Sequence, residues 1–345
     1  MARKRVTSLE VAKEAGVSRT TVSLVLNNTP KSGIPEETRL RVNEAAEKLD
    51  YHPNVTGRRL ASGRTNTVAF VMHQSPERAA VDLFLPQVLR GLNANLRSSG
   101  YHILFRPVDP TNSQDGYAYL VYQGHVDGVV LSGPQLEESE AVLLHEQGLP
   151  IVVTGRLPGH DVPYVDADNY QGAQLATNHL VSLGHRRIGL ITNAPLIYIA
   201  SRERYRGYQD SLLAADLIYE PDLVREGYFT SESGYEAMIS LLDLESPPSA
   251  VFVASDVVAF GAIQAIKNRG LNIPHDVALV GFDDVSVSQF VEPFLTTIHL
   301  PAFDLGWMAG QLSQQLINRD DPVSNGLLLP TELVVRASCG ANLTE

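Results

Sequence analysis

Residues 7–27, TSLEVAKEAGVSRTTVSLVLN, place apolar side chains with a helical period that is interrupted once. Thr7 and Glu10 have the spacing of a capping box, which predicts a helix beginning near Ser8. Val11, Ala12 and Ala15 give that helix an apolar face, and Gly16 is placed to end it. Ser18 can cap a second helix whose inward face is Val22, Val25 and Leu26. Two short helices joined by a tight glycine turn, with the small Ala12 at their crossing, read as a helix-turn-helix, a generic helical hairpin being the alternative. A third helix is expected from Pro35 to Leu49. Pro35 suits the first turn, Glu36 and Glu37 suit the positive end of the helix dipole, and Leu40, Val42, Ala45, Ala46 and Leu49 are expected to close a three-helix core.

After Tyr51-His52-Pro53 comes NVTGRRLASGRTN. Residues 54–61 could form a short helix, although Gly57 costs about 1 kcal/mol relative to Ala and so short a helix does not persist alone in water. Its Ser, Gly and Arg content fits a flexible linker equally well. From Asn66 onward, the β-branched runs TVAFVM, YHILF, DGVVLSG, PIVVTG, RIGLIT, SAVFVAS and DVALVGFD alternate with helical patterns such as NHLVSLGH and AFGAIQAIKNRG. That alternation predicts α/β architecture with parallel sheets covered on both faces. The segment is too long for one core, so two doubly wound lobes are expected, with any ligand beyond the carboxyl ends of the strands.

Charge divides the chain at the same place. Residues 1–65 carry +5 and the remainder −17, within a net −12 over 345 residues. A basic head on an acidic body points to a head that meets a polyanion, although a short basic segment alone also fits a solvated surface. With 44% apolar and 19% charged residues the chain has ample material for cores. No apolar run approaches the roughly 18 residues of a membrane span, and the basic N-terminus leads into helical sequence instead of a signal core, so a cytoplasmic location is expected. The single Cys339 excludes an internal disulfide and a cysteine-rich zinc site.

The run from Val6 to Asn27, then EETRLRVNEAAEKLDYHPN and RRLASGRTNTVAFV, resembles the lactose-repressor (LacI/GalR) family of bacterial transcription regulators. The likeness continues through VDADNYQGAQLATNHLVSLGHRRIGLIT, SRERYRGYQDSL and PFLTTIHLP to the end of the chain. It implies a helix-turn-helix head (1–52), a hinge (53–65) and a core (66–345) of periplasmic-binding-protein-like type I fold. The first lobe would hold residues 66–167 and 298–325, the second 168–297 and 326–345, with crossings near Asp166–Asn169, Thr297–Pro301 and Asn325–Leu327. By the same likeness the second helix enters the major groove of a palindromic operator. Arg19, Thr20 and Leu24 then read bases, an arginine fork suiting guanine O6 and N7, while Ser18, Thr21 and Asn27 bind phosphate. The hinge would fold when paired on DNA, with Leu60, followed by Ala61, wedged into the minor groove; Gly57 departs from the usual alanine there.

In the core the resemblance places effector contacts at Arg204, Phe229 and Asp283, with Phe84 and Arg156 lining the cleft from the first lobe. Ser255 stands where many sugar-responsive members carry asparagine. From the residues alone, Arg204 and Asp283 could form a structural ion pair, and Phe84 and Phe229 could be core side chains. The resemblance further implies a homodimeric repressor governed by a small molecule, most often an inducing carbohydrate; a corepressor would use the same geometry. No leucine heptad follows the last strand, so a coiled-coil tetramer is not expected. His160, Asp161, Asp166 and Asp168 cluster in sequence but read as a loop and strand end instead of a metal site, and His179 and His185 lack the spacing of a helical zinc pair. Trp307 reads as a packed helix residue. Without a GxxxxGK loop, a GxSxG elbow or a complete GxGxxG, no cofactor, metal or catalytic constellation is expected. A sugar-binding transport receptor and a sugar-modifying enzyme are the other classes the sequence leaves open.

Overall fold

The computed structural model describes residues 6–26, 32–52, 63–109, 116–320 and 324–341. The chain divides into two compact units, Met1–Thr65 and Asn66–Glu345.

In the first unit, α1 (Ser8–Ala15), α2 (Arg19–Leu26) and α3 (Glu36–Lys48) enclose a small core of Val11, Ala12, Ala15, Val22, Val25, Val42, Ala45 and Ala46. The capping box forms: the Glu10 carboxylate accepts from the Thr7 backbone N–H at 2.7 Å and from its hydroxyl at 2.9 Å. Gly16 ends α1 in the left-handed region at φ 64°, where a side chain is disfavoured. Ser18 Oγ accepts from the Thr21 backbone N–H at 3.0 Å and caps α2. Leu40 does not join the core and is 55% exposed. At 100° per residue, Val42, Ala45, Ala46 and Leu49 share one face of α3, and Leu40 falls on the opposite one.

The second unit contains two six-stranded sheets. The first lobe runs β1 (Thr67–Met72), α4 (Pro76–Val81), α5 (Leu85–Ser98), β2 (His102–Pro107), α6 (Ala118–Tyr122), β3 (Gly128–Ser132), α7 (Ser139–Glu146), β4 (Ile151–Thr154) and β5 (Tyr164–Ala167). The second continues with α8 (Asn169–Ser182), β6 (Ile188–Ile191), α9 (Ile199–Ala214), β7 (Val224–Arg225), α10 (Ser231–Leu242), β8 (Ala250–Val253), α11 (Asp256–Asn268), β9 (Ala278–Asp283) and β10 (Thr297–His299). The chain then returns to the first lobe for α12 (Ala302–Asn318) and β11 (Gly326–Leu329), and ends in the second with β12 (Glu332–Val334). The sheet orders are β11-β5-β4-β3-β1-β2 and β12-β10-β9-β8-β6-β7, every pairing parallel except that of β12 with β10.

The first two crossings follow Ala167 and His299, close to where the sequence puts them; β10 pairs with β9 through its last residue, so the return segment starts after 299 instead of at 298. The third differs. It was expected near Asn325–Leu327, yet Gly326–Leu329 pairs residue for residue with Tyr164–Ala167 and belongs to the first lobe. The crossing therefore falls at Pro330-Thr331, where proline, lacking an N–H, cannot extend the ladder.

The central strands β3, β4, β6 and β8 are buried throughout while edge strands such as β2 and β11 stay partly exposed, and one apolar cluster runs from Phe70 and Leu92 in the first lobe to Phe252 and Phe282 in the second. The helices α5 and α12 cross at backbone contact. A Cβ on Gly91 would lie 1.9 Å from the Phe303 carbonyl oxygen, and one on Gly306 would lie 2.0 Å from that of Val88. At Gly310, one turn further along, the nearest atoms are Asn95 side-chain atoms at 3.1 Å, which can shift. Gly306→Ala is therefore expected to cost about 3 kcal/mol of unfolding free energy, and Gly310→Ala clearly less. Urea denaturation of the two variants checks this; equal costs would contradict the backbone-contact account.

Candidate functional site

On α2, Arg19 and Thr20 are exposed and Leu24 is half-buried. The three lie within about 140° of one another around the helix axis, and Val22 and Val25, on the other side, are buried. Arg19 Nε donates to Ser8 Oγ at 3.3 Å, a contact on the surface that leaves the guanidinium edge accessible. Ser18 and Thr21 sit at the N-terminus of α2 with their hydroxyls 2.9 Å apart. The face thus presents a cation, two hydroxyl-bearing residues at a positive helix end and an aliphatic tip, the set needed to touch phosphates and base edges. Asn27, Leu60 and Ala61, with Gly57, lie outside the described residues.

The second unit holds a cavity of about 140 Å³ between its lobes, far above the roughly 10–15 Å³ that admits one water. Its walls come from the carboxyl ends of strands. His73 and Gln74 follow β1, Ser132 ends β3, Thr154 ends β4, Asp166 lies in β5, Asn193 follows β6, Ser255 follows β8 and Asp283 ends β9. Phe84, Arg204, Phe229, Ser255 and Asp283, all named from the sequence, line this cavity. Arg156 does not. It is exposed, with its guanidinium 5.9 Å from the Tyr164 ring centroid. Thr154 and Gly155 form the wall, and the chain turns outward at Gly155, whose φ is 132°.

Arg204 is only 5% exposed and organises the second-lobe wall. Its Nε donates to Asn169 Oδ1 at 2.9 Å, and its Nη1 donates to the Ala254 carbonyl at 2.6 Å and to Asp283 Oδ1 at 3.5 Å. The guanidinium lies 3.7 Å from the Phe282 ring centroid. Asn169 in turn donates through Nδ2 to Asp166 Oδ1 at 3.1 Å, linking the arginine to the strand that leads into the first crossing. Arg204 and Asp283 are therefore both an ion pair and part of the cavity wall. Asp283 has a φ of 109°, a strained value for a residue with a Cβ. Phe229, at φ 62°, meets Tyr198 edge to face with centroids 5.1 Å apart. Phe84 precedes α5, and its N–H donates to Asp82 Oδ1 at 2.8 Å.

Carboxyl groups dominate the electrostatics. Burial raises Asp166 to about 7, against the pull of the Ala167 N–H and Arg204. Burial raises Asp283 to about 6, opposed by Arg204 and the Ser255 hydroxyl. Behind the wall, fully buried Asp256 accepts from Thr297 Oγ1 at 2.6 Å, Ser288 Oγ at 2.6 Å and the Val285 N–H at 3.0 Å. Burial, reinforced by the Asp283 charge, still raises it to about 8. The sequence alone singles out none of Gln74, Asp82, Asn193 and Tyr198, and it names Asp166 and Asn169 at a lobe crossing without a place on the cavity wall. Among the described residues no group of three or more His, Cys, Asp or Glu could hold a metal ion, and no helix is long and apolar enough to cross a membrane.

Residues 7–54 match the model of the bacterial regulatory proteins of the lacI family, and residues 177–339 match a periplasmic binding protein-like domain. The chain is 35% identical to the HTH-type transcriptional regulator CelR of Thermobifida fusca, over 98% of this chain and 100% of that protein. It is 33% identical to the HTH-type transcriptional repressor CytR of Escherichia coli (strain K12), over 97% and 96%. Among solved structures it is similar to a complex of the regulator CelR with cellobiose, at 34% identity and a TM-score of 0.75 over 97% of this chain and 100% of that one. It is also similar to the lac repressor dimer bound to operator and the anti-inducer ONPF, at 27% identity and a TM-score of 0.86 over 97% and 99%.

The three raised carboxyls set a pH dependence. From about pH 4 upward the unfolded chain has released protons that the folded chain still holds, so their contribution to stability falls as pH rises toward 8. In thermal unfolding between about pH 5 and about pH 8, the wild-type melting temperature is expected to drop relative to that of Asp256→Asn. A difference that stays constant across the range would show that Asp256 is not held protonated.

Proposed function

The chain belongs to the LacI family of bacterial regulatory proteins, and from that premise we propose that this DNA-binding transcription regulator is a repressor whose operator affinity is set by a small carbohydrate in the interlobe cavity. The observation that carries this reading is the pairing, in one chain, of an exposed Arg19–Thr20–Leu24 helix face with a polar cavity built around Arg204 and Asp283. Arg19, Thr20 and Leu24 are the proposed base contacts, with Ser18, Thr21 and Asn27 on phosphate. Leu60 and Ala61 are the proposed minor-groove wedge. Phe84, Arg204, Phe229, Ser255 and Asp283 are the proposed effector contacts, joined by Gln74, Asp166 and Asn193 on the same walls.

The CelR structure contains cellobiose, and the lac repressor structure is a dimer on its operator. That likeness supports a carbohydrate effector and a homodimer on a two-fold symmetric site, where two heads must meet two half-sites at fixed separation. The proposed organisation is a head over residues 1–52, a hinge over 53–65 and an effector-binding core from 66. The effector would bind one arrangement of the lobes better than another, and that preference is the entire source of its control over the heads. Coupling of this kind amounts to about 1–3 kcal/mol and acts equally in both directions. The proposed role is regulatory instead of catalytic, and the proposed compartment is the cytoplasm, where the operator lies.

Gel-shift assays on genomic fragments at two salt concentrations test the reading. A sequence-specific complex is expected to survive moderate salt. Arg19→Ala should weaken that complex about 10- to 100-fold and leave nonspecific binding nearly unchanged. Equal losses on specific and random duplexes would contradict the assignment of Arg19 to bases.

A further inference from the structure

The three crossings follow β5, β10 and β11, close to the β11 edge of the first sheet and the β12 edge of the second. Toward the opposite edges the lobes are joined again, this time by two segments that meet side by side. Residues 134–136, after β3, form an antiparallel bridge with residues 197–199, after β6, centred on Gln135 and Tyr198. The Leu136 N–H donates to the Ile197 carbonyl at 3.0 Å, and the Ile199 N–H donates to the Pro134 carbonyl at 3.2 Å. Tyr198 is buried on the cavity wall, with its ring against Phe229. Its hydroxyl reaches across to the first lobe and donates to the His73 carbonyl at 3.0 Å. Ile199 packs among buried side chains of the first lobe.

Each half of this clasp is anchored in its own lobe. The Glu138 carboxylate accepts from the Gln135 N–H at 2.7 Å and faces His73 Nε2 at 3.0 Å, which ties the first half to the ends of β1 and β3. The second half leads into α9, the helix that carries Arg204 to the cavity wall. Closure also has a cost. Beside the clasp, His73 Nδ1 and Asn193 Oδ1 are closed to solvent and have no partner within the protein, and parting the lobes there would hydrate them. The covalent crossings hold the lobes together at one side, whereas the clasp is held by bonds that can open and reform.

We propose that this clasp is the gate of the cavity, parting about the crossings whenever a ligand enters or leaves, and that the Tyr198 hydroxyl sets the fraction of time it stands open. Opening draws Tyr198 and Ile199 away from the first lobe and takes the start of α9 with them, so the gate moves together with the helix that bears Arg204. This inference goes beyond the regulator reading and needs neither the identity of the ligand nor DNA.

The test introduces Ser255→Cys into the full chain, which puts a thiol on the cavity wall, and follows its alkylation by iodoacetamide under native conditions. Peptide mass spectrometry reads position 255 and Cys339 separately; Cys339 is buried in the core and reports general unfolding. Adding Tyr198→Phe, which keeps the ring and removes the hydroxyl, is expected to speed reaction at position 255 about three- to ten-fold and leave Cys339 unchanged. The two backbone bonds flank Gln135 and Tyr198 as a non-hydrogen-bonded pair, a type with Cα atoms about 4.5 Å apart, which a disulfide can span. Adding oxidised Gln135→Cys/Tyr198→Cys instead is expected to slow reaction at position 255 about ten-fold or more. Rates at 255 that ignore both changes would overturn the proposal, as would equal acceleration of both thiols or failure of the 135–198 pair to form. Hydrogen exchange of the unmodified chain gives a second reading should a variant not fold. The Leu136 and Ile199 amides are expected to exchange well ahead of the interiors of β3 and β6; exchange at the same slow rate would also overturn the proposal. Gel-shift on genomic fragments reads the regulator assignment separately, so either reading can fail while the other stands.

Discussion

Arg204 holds together four pieces of chain that would otherwise repel or drift. Its guanidinium touches the Ala254 carbonyl at the end of β8 and Asp283 at the end of β9, rests on the Phe282 ring, and reaches Asp166 of the first lobe through Asn169. Burial disfavours its charge, while Asp283, Asp166 and Asp256 favour it. Removing one partner of such a buried pair typically costs about 3–5 kcal/mol, because the other is left uncompensated. This cation sits where two strand ends and a lobe crossing meet, and its bonds tie the second-lobe wall of the cavity together.

The lobes also meet away from the crossings. The Leu136 N–H donates to the Ile197 carbonyl at 3.0 Å, and the Ile199 N–H donates to that of Pro134 at 3.2 Å. Tyr198 donates its hydroxyl to the His73 carbonyl at 3.0 Å, and the Arg78 guanidinium lies 4.0 Å from the Tyr228 ring centroid. Apolar packing joins them: Ile199 of α9 lies among buried side chains of the first lobe, and the larger apolar cluster continues from one lobe into the other. By contrast, the packing inside each lobe includes backbone-to-backbone helix crossings that admit no side chain. A ligand bound in the cavity would act on the contacts between the lobes, since it would add bonds across the gap between two walls while the helix crossings inside each lobe leave no room to shift. That asymmetry is the physical basis for proposing that occupancy changes the relation between lobes without reshaping either one.

Much of this was legible in the sequence, for identifiable reasons. Capping chemistry at Thr7, Glu10 and Ser18 is local, and it located α1 and α2. The β-branched runs became strands, and all but the edge strand of YHILF are buried by the helices that alternate with them. Leu40 was misplaced because it was counted as apolar without its angular position on α3. The third crossing slipped because the partner of β11 is β5, some 160 residues earlier in the chain, a pairing no local pattern reveals. Arg156 was lost to a turn at Gly155. Gln74 and Asn193 carry no motif, and they meet on the cavity wall only because the fold brings their strand ends together. Both nonetheless follow the carboxyl end of a predicted strand, so applying the strand-end rule to every strand in turn would have found them.

The central claim is that filling the cavity alters how the heads hold DNA. The most direct measurement is operator affinity by fluorescence anisotropy, with the wild-type chain empty and then saturated with the sugar that raises its melting temperature most. The account predicts a change of about five-fold or more, in the range typical of coupled sites. Identical affinities, with the cavity shown by calorimetry to be occupied, would contradict it.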